Sequence, residues 1–218
     1  MTESSYPHRM GRVLLQATEE VLGEEELASV LGIASSSMEA CGGYPLPPSS
    51  VSGISAHLAA NDVPVDHLTA GHFLTSLEQI YGPQSGRGLA LRIGRACFPY
   101  ALREFGTSLG LTGMAFRLLP FPAKLKTFAD ALADLLHAHT NQHITVERVN
   151  GKLLWHVDGC VLCSDRNAGV SSCQLSVGLA EEALYWLSGG KIFLVEETAC
   201  IALGDRRCTL QIDEVPIS

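Results

Sequence analysis

Residues 143–158 read HITVERVNGKLLWHVD. Two runs flank Asn150-Gly151, a strong signal for a hairpin closed by a two-residue turn. A loop carrying Cys160 and Cys163 comes next, and residues 172–188 then take helical spacing. Leu175, Leu179, Ala183, Trp186 and Leu187 share one face of that helix, and Gly189-Gly190 ends it. KIFLVEETACIAL and RCTLQIDEV follow as two strands around Gly204-Asp205. The C-terminal third therefore reads β-β-α-β-β. The expected fold is α+β, with N-terminal helices packed on a mostly antiparallel four-stranded sheet.

Upstream of the hairpin the pattern is helical. Residues 9–34 predict two short helices parted by Gly23. Residues 35–64, with serine clusters and Pro45-Leu46-Pro47-Pro48, predict a loop that is either a linker or a lid. A helix over 66–81, capped by Asp66, leads to another over 86–105, where Leu89, Ile93, Ala96, Cys97 and Tyr100 align. Pro99 should kink it, because proline removes a backbone donor. Leu125, Phe128, Ala129, Leu132, Leu135 and Leu136 then stripe a helix over 122–139. The predicted division is an N-terminal helical extension, 1–81, and a main domain, 82–218.

Of the 218 residues, 46% are hydrophobic and 17% charged, which excludes an intrinsically disordered chain. The net charge of −8 lacks the basic footprint of a nucleic-acid binder. No apolar run is long enough to span a membrane, and the polar start MTESSYPHRM is no export signal, so a cytoplasmic protein is expected. In such a reducing compartment, seven cysteines point to metal ligation or a reactive thiol rather than disulfides.

Common catalytic signatures are missing. Neither a phosphate loop nor a dinucleotide fingerprint occurs. Gly106-Thr107-Ser108-Leu109-Gly110 fits G-x-S-x-G, but a helix rather than a strand precedes it, so it reads as a helix-ending loop. His137, His139 and His143 gather where a helix ends, where polar and cationic groups suit its dipole.

The cysteines are the sharper signal. Cys173 opens a helix, whose free N–H groups favour thiolate. Cys200 and Cys208 flank the second strand pair with Gly204 at their midpoint, so they should lie almost opposite one another. Glu197 precedes Cys200 by an odd offset and needs a bulge or a twisted strand end to join them. Three thiolates and a carboxylate suit tetrahedral zinc, and three small buried hydrophobes would show the same spacing. Cys160-Val-Leu-Cys163 reads as a structural or incidental pair, as thiols close to the zinc or ligand, or as part of an iron–sulfur cluster with Cys173; as a possible second thiol site it lacks obvious partners of its own.

The run Cys173-x-x-x-x-Gly178, then Glu197-x-x-Cys200 and Gly204-Asp205-x-x-Cys208 before an alternating strand, resembles the 4-vinyl reductase domain family. The resemblance is specific over about residues 150–213 and looser over 86–149. It implies the fold of the nitric-oxide-sensor ligand-binding domains and of a Golgi-transport subunit group. It implies a hydrophobic or aromatic ligand, with a tetrapyrrole among the candidates, held between helices and sheet. From similar phenol-sensing activators it implies zinc on Cys173, Glu197, Cys200 and Cys208. The alternative it raises is a 4-vinyl reductase or carrier protein of bacteriochlorophyll synthesis. Reduction needs an electron source, and no nicotinamide or flavin fingerprint is present. The Golgi-transport likeness implies an assembly protein, and a homodimer is the expected state.

Apolar sites use aromatic walls with few polar anchors. Phe98, Tyr100, Phe105, Phe116 and Phe121 are the candidates from the helices and the loop between them. Trp155 and His156 alternate on the hairpin's second strand, so one of them must face the helices.

Overall fold

The computed structural model describes residues 8–40, 70–163 and 169–217. Helices α1 (His8–Leu22) and α2 (Glu24–Ala40) meet at Gly23, whose φ of +92° suits a residue without Cβ. Glu24, Glu25 and Glu26 fill the first turn of α2, where the helix dipole favours negative charge. The helix runs on to Ala40, so residues 35–40 are helical rather than part of the expected loop. No glycine or proline falls between Gly32 and Gly42, and Met38, Glu39 and Ala40 are good helix formers. The rest of the expected loop, with Asp66, lies outside the described residues.

Helices α3 (Ala70–Tyr81) and α4 (Pro83–Phe105) are parted by Gly82, and Pro83 takes a first-turn position where its missing N–H costs nothing. The helix continues through Pro99 to Phe105. Residues 106–112 turn without strand structure, so Ser108 sits in a helix-ending loop and donates its hydroxyl to the Phe105 carbonyl. A one-turn helix, α5 (Met114–Arg117), was not expected from the sequence, and α6 (Phe121–His139) follows.

Strands β1 (His143–Val149) and β2 (Lys152–Asp158) form the hairpin. Asn150 and Gly151 both have positive φ, 52° and 75°, as a type I′ turn requires. Helix α7 (Gln174–Ser188), β3 (Val195–Ala199) and β4 (Cys208–Asp213) complete the chain. The sheet is antiparallel throughout in the order β1-β2-β4-β3. Strand β3 is shorter than its sequence suggested: residues 191–194 precede the ladder, and Cys200 leaves it where Ile201–Leu203 form a 3₁₀ turn.

Register sorts the sheet's faces. Leu153, Trp155 and Val157 of β2 alternate with Leu154 and His156, and Cys208, Leu210 and Ile212 pair opposite Val157, Trp155 and Leu153. Helices α6 and α7 cover the face bearing Trp155 and Leu210. Helix α4 packs in turn on α7, and α1 and α3 pack on α4, so residues of the N-terminal helices join the same hydrophobic core.

Candidate metal centre and apolar cavity

Five cysteines converge at one end of the helix-facing side of the sheet. Cys160 and Cys163 lie just past β2, in a tight turn where the Cys163 N–H donates to the Cys160 carbonyl (3.1 Å). Cys173 stands at the start of α7, and its N–H donates to Glu197 Oε2 (2.8 Å). Cys200 follows β3, with its N–H held by Asp205 Oδ2 (2.8 Å). Cys208 opens β4, and its Sγ accepts from the Ile201 N–H (3.3 Å). Gly204, at φ +96°, makes the turn that allows Asp205 to reach back. The sequence pattern Gly-Asp-x-x-Cys is thus a device for aiming Cys200 and Cys208 together.

The bulge that Glu197 needed is present. Glu197 pairs with Leu210 and Ala199 with Thr209, and the shift between these pairs turns the Glu197 carboxylate toward the sulfurs. One donor atom each from Cys163, Cys173, Glu197, Cys200 and Cys208 lies within 4.8 Å of every other. The sequence left Cys163 as incidental, in a possible second thiol site or close to this one, and the structure brings it into this one. Cys160 borders it, with its Sγ 3.6 Å from that of Cys173.

Charge within the cluster is divided unevenly. A hydrogen bond from Cys173, with support from Glu197, draws Cys200 down to about 5. Cys208 is also drawn down, first by Cys160 and then by Cys163. Cys163 and Cys173 are pushed up, each first by its hydrogen bond with Cys160. Burial pushes Glu197 up to about 8. Five acidic groups this close cannot all ionise in a low-dielectric site, and a dication removes that conflict. Glu197 Oε1 is buried without a partner, a further sign that the cluster fits a metal ion.

Beside this centre, α6, α7, β2 and β4 enclose an apolar cavity of about 80 Å³. Its walls include Phe128, Leu132, Leu179 and Leu210, with Trp155 from the sheet and Ser176 from α7 as the side chains carrying polar atoms. A second cavity, about 120 Å³, lies between α1, α4, α6 and α7 and shares Leu132, Leu136 and Leu179 with the first.

Of the aromatic residues singled out in the sequence, Trp155 lies on the wall of the first cavity. His156 faces the other side of the sheet, where Nδ1 lies 2.9 Å from Thr209 Oγ1. Phe98 packs against Phe128 and Trp186, Phe116 stacks on Trp186, and Phe121 stacks on Phe193. Phe105 lines the second cavity with the Arg9 guanidinium over its ring, and Arg103 covers Tyr100. Phe128, Ser176 and Leu210 were not named as pocket residues. The apolar stripe of α6 already contained Phe128, but Ser176 carried no signal. His137 and His143 meet edge to face at 5.4 Å, apart from the sulfur cluster.

No protein-family model matches the chain, and neither does any curated protein sequence. By fold it is similar to H-NOX proteins. One, from S. oneidensis in the Fe(II)NO ligation state, aligns over 95% of this chain and 98% of its own, at 11% identity and a TM-score of 0.55. Another, an Fe(II) unliganded variant from K. algicida, aligns over 95% of each chain, at 13% identity and a TM-score of 0.53. The phenol-responsive sensory domain of the transcription activator PoxR, solved with phenol, aligns over 66% of this chain and 73% of its own, at 18% identity and a TM-score of 0.49. The H-NOX likenesses establish the nitric-oxide-sensor fold expected from the sequence. Among the described residues, no helix is long and apolar enough to cross a membrane.

Proposed function

We propose that the chain is a ligand-binding sensor domain of the 4-vinyl reductase type, stabilised by one zinc ion, with a small aromatic molecule in the cavity under α6 and α7. The observation that carries this reading is the cavity itself, which is apolar apart from Ser176 and Trp155. Walls of this kind take a hydrophobic ligand, and the Ser176 hydroxyl or the Trp155 N–H would orient a single polar group on it.

Size selects among ligands. A dry cavity of about 150 Å³ takes benzene, and this one is about half of that. A single ring therefore fits after a modest side-chain shift, whereas a tetrapyrrole would require α6 and α7 to part. The lining of neither cavity includes a histidine.

The metal's part is structural. Cys173, Cys200 and Cys208 supply three thiolates, and the fourth donor is one of Glu197 and Cys163. A closed four-donor zinc site has no open position for substrate. A four-iron cluster fits less well, because each of its thiolates binds a separate iron and the sulfurs must spread wider than the 4.8 Å seen here.

Calorimetric titration tests the reading, with phenol and a porphyrin as probes of the zinc-loaded protein. Saturable phenol binding that weakens in Trp155→Ala is the expected result. Porphyrin binding without phenol binding would favour the tetrapyrrole alternative, and binding of neither would overturn the proposal.

A further inference from the structure

The four-donor set is decided by where Cys163 lies. Its Sγ is 3.1 Å from that of Cys173, 3.5 Å from that of Cys200 and 3.5 Å from that of Cys208. Zinc–sulfur bonds of about 2.3 Å at the tetrahedral angle set sulfurs about 3.8 Å apart. Cys163 is therefore within one tetrahedral edge of all three other thiols at once, and a small outward shift of its sulfur opens that edge around an ion. The protein scaffold brings the four together from different directions. Cys163 comes from the turn after β2, Cys173 from the start of α7, Cys200 from the end of β3 and Cys208 from the start of β4. All four are buried, at 1% exposure or less.

Glu197 is the competing fourth donor through its buried, unpartnered Oε1, but its other oxygen already has another task. Its Oε2 accepts the N–H of Cys173, which orients the residue that presents that sulfur. Carboxylates commonly hold metal ligands in place this way from outside the coordination sphere. Thiolate is also the softer donor, suited to a closed structural zinc site. Cys160, 3.6 Å from the Cys173 sulfur, is placed as an outer thiol.

We infer that the metal is held by four thiolates, Cys163, Cys173, Cys200 and Cys208, with Glu197 positioning Cys173 from outside. The inference rests on the metal centre proposed above and decides its fourth ligand. A consequence is mechanical. With Cys163 as a ligand, the metal ties the end of β2, the strand that carries Trp155, to the start of α7, which carries Ser176. The two polar groups of the cavity are then held to each other through one ion.

X-ray absorption on the zinc-loaded full chain tests this. Wild type and Glu197→Gln should both give four sulfurs at about 2.3 Å and no oxygen shell. In the cobalt-substituted protein, Cys163→Ser should lower the thiolate-to-metal charge-transfer absorbance by about a quarter, from four sulfurs to three. Three sulfurs and one oxygen at about 2.0–2.2 Å in wild type, lost in Glu197→Gln, would overturn the inference and leave the metal centre standing. A chain that binds neither zinc nor cobalt would overturn both. The wild-type and Glu197→Gln measurements decide between sulfur and carboxylate even if Cys163→Ser fails to fold, and Cys160→Ser, which should keep all four sulfurs, tells Cys163 from its neighbour; a drop to three sulfurs in Cys160→Ser would overturn the inference.

Discussion

Gly94 and Gly178 meet where α4 crosses α7, and neither has room for a methyl group. A Cβ on Gly94 would lie 2.0 Å from the Leu175 carbonyl oxygen, and one on Gly178 would lie 2.0 Å from that of Leu91. The two helices touch backbone to backbone. This seats the start of α7, and with it Cys173, against the sheet end that carries Cys200 and Cys208.

Gly178→Ala should therefore force the helices apart. Overpacking costs about 1–3 kcal/mol, occasionally more, and with rigid backbone on the far side the loss should reach the top of that range. Gly88 on the same α4 meets nothing within 4 Å. Gly88→Ala should stabilise by about 0.5–1 kcal/mol, since glycine inside a helix is entropically costly. Chemical denaturation of the two variants checks both signs.

Cys200→Ser and Cys208→Ser should each lose the metal and then unfold or aggregate. Structural zinc supplies about 10–16 kcal/mol in small domains, as much as a typical domain's whole stability of about 5–15 kcal/mol. Metal content by mass spectrometry, read beside the unfolding midpoint, checks the coupling. A metal-free variant with wild-type stability would refute it.

Trp155 is 9% exposed, yet it lines a cavity. Truncating a tightly packed tryptophan costs about 3–5 kcal/mol. Trp155→Ala should cost less than that in the ligand-free protein, because part of the ring already faces empty space, and phenol affinity should fall sharply. A full core penalty with unchanged affinity would make Trp155 plain packing.

His156 gives a pH signature. It is 5% exposed, and its pKa is lowered, first by burial and then by Arg207, with Glu147 pulling the other way. The unfolded chain takes up the proton at about pH 6.5, before the folded protein does. Stability from this group is therefore full above that pH, declines as pH falls below it, and levels off under the folded-state value. Thermal unfolding of wild type and His156→Gln between pH 5 and 8 should show the wild-type slope flattened in the variant.

The hairpin was legible in the sequence because Asn150-Gly151 carries its own local instruction: both residues tolerate positive φ, and the I′ turn demands it twice. The helical stripes were legible for a similar reason, since periodicity is a property of neighbouring residues. Cys200 and Cys208 could be set together because one short turn joins them. Cys163 could not be placed that way. Its position depends on where the end of β2 lies relative to the start of α7, and the pairing of β2 with β4 decides that.

The cavity divides along the same line. Trp155 was one of two residues of which one had to face the helices, and alternation along a strand is local. Which of the pair faced inward depended on the packing of α6 and α7 over the sheet. Phe98, Phe116 and Phe121 were wall candidates by chemistry; they do not line the cavity of Trp155 but pack on Trp186 and Phe193, and Phe116 shares a separate pocket with Trp186. Local preference set out the longer helices, the hairpin and its turn, and the resemblance named three of the sulfurs that converge. That a fourth sulfur joins them and that Ser176 shares a cavity with Trp155 came from packing, because both depend on distances between segments that no local preference encodes.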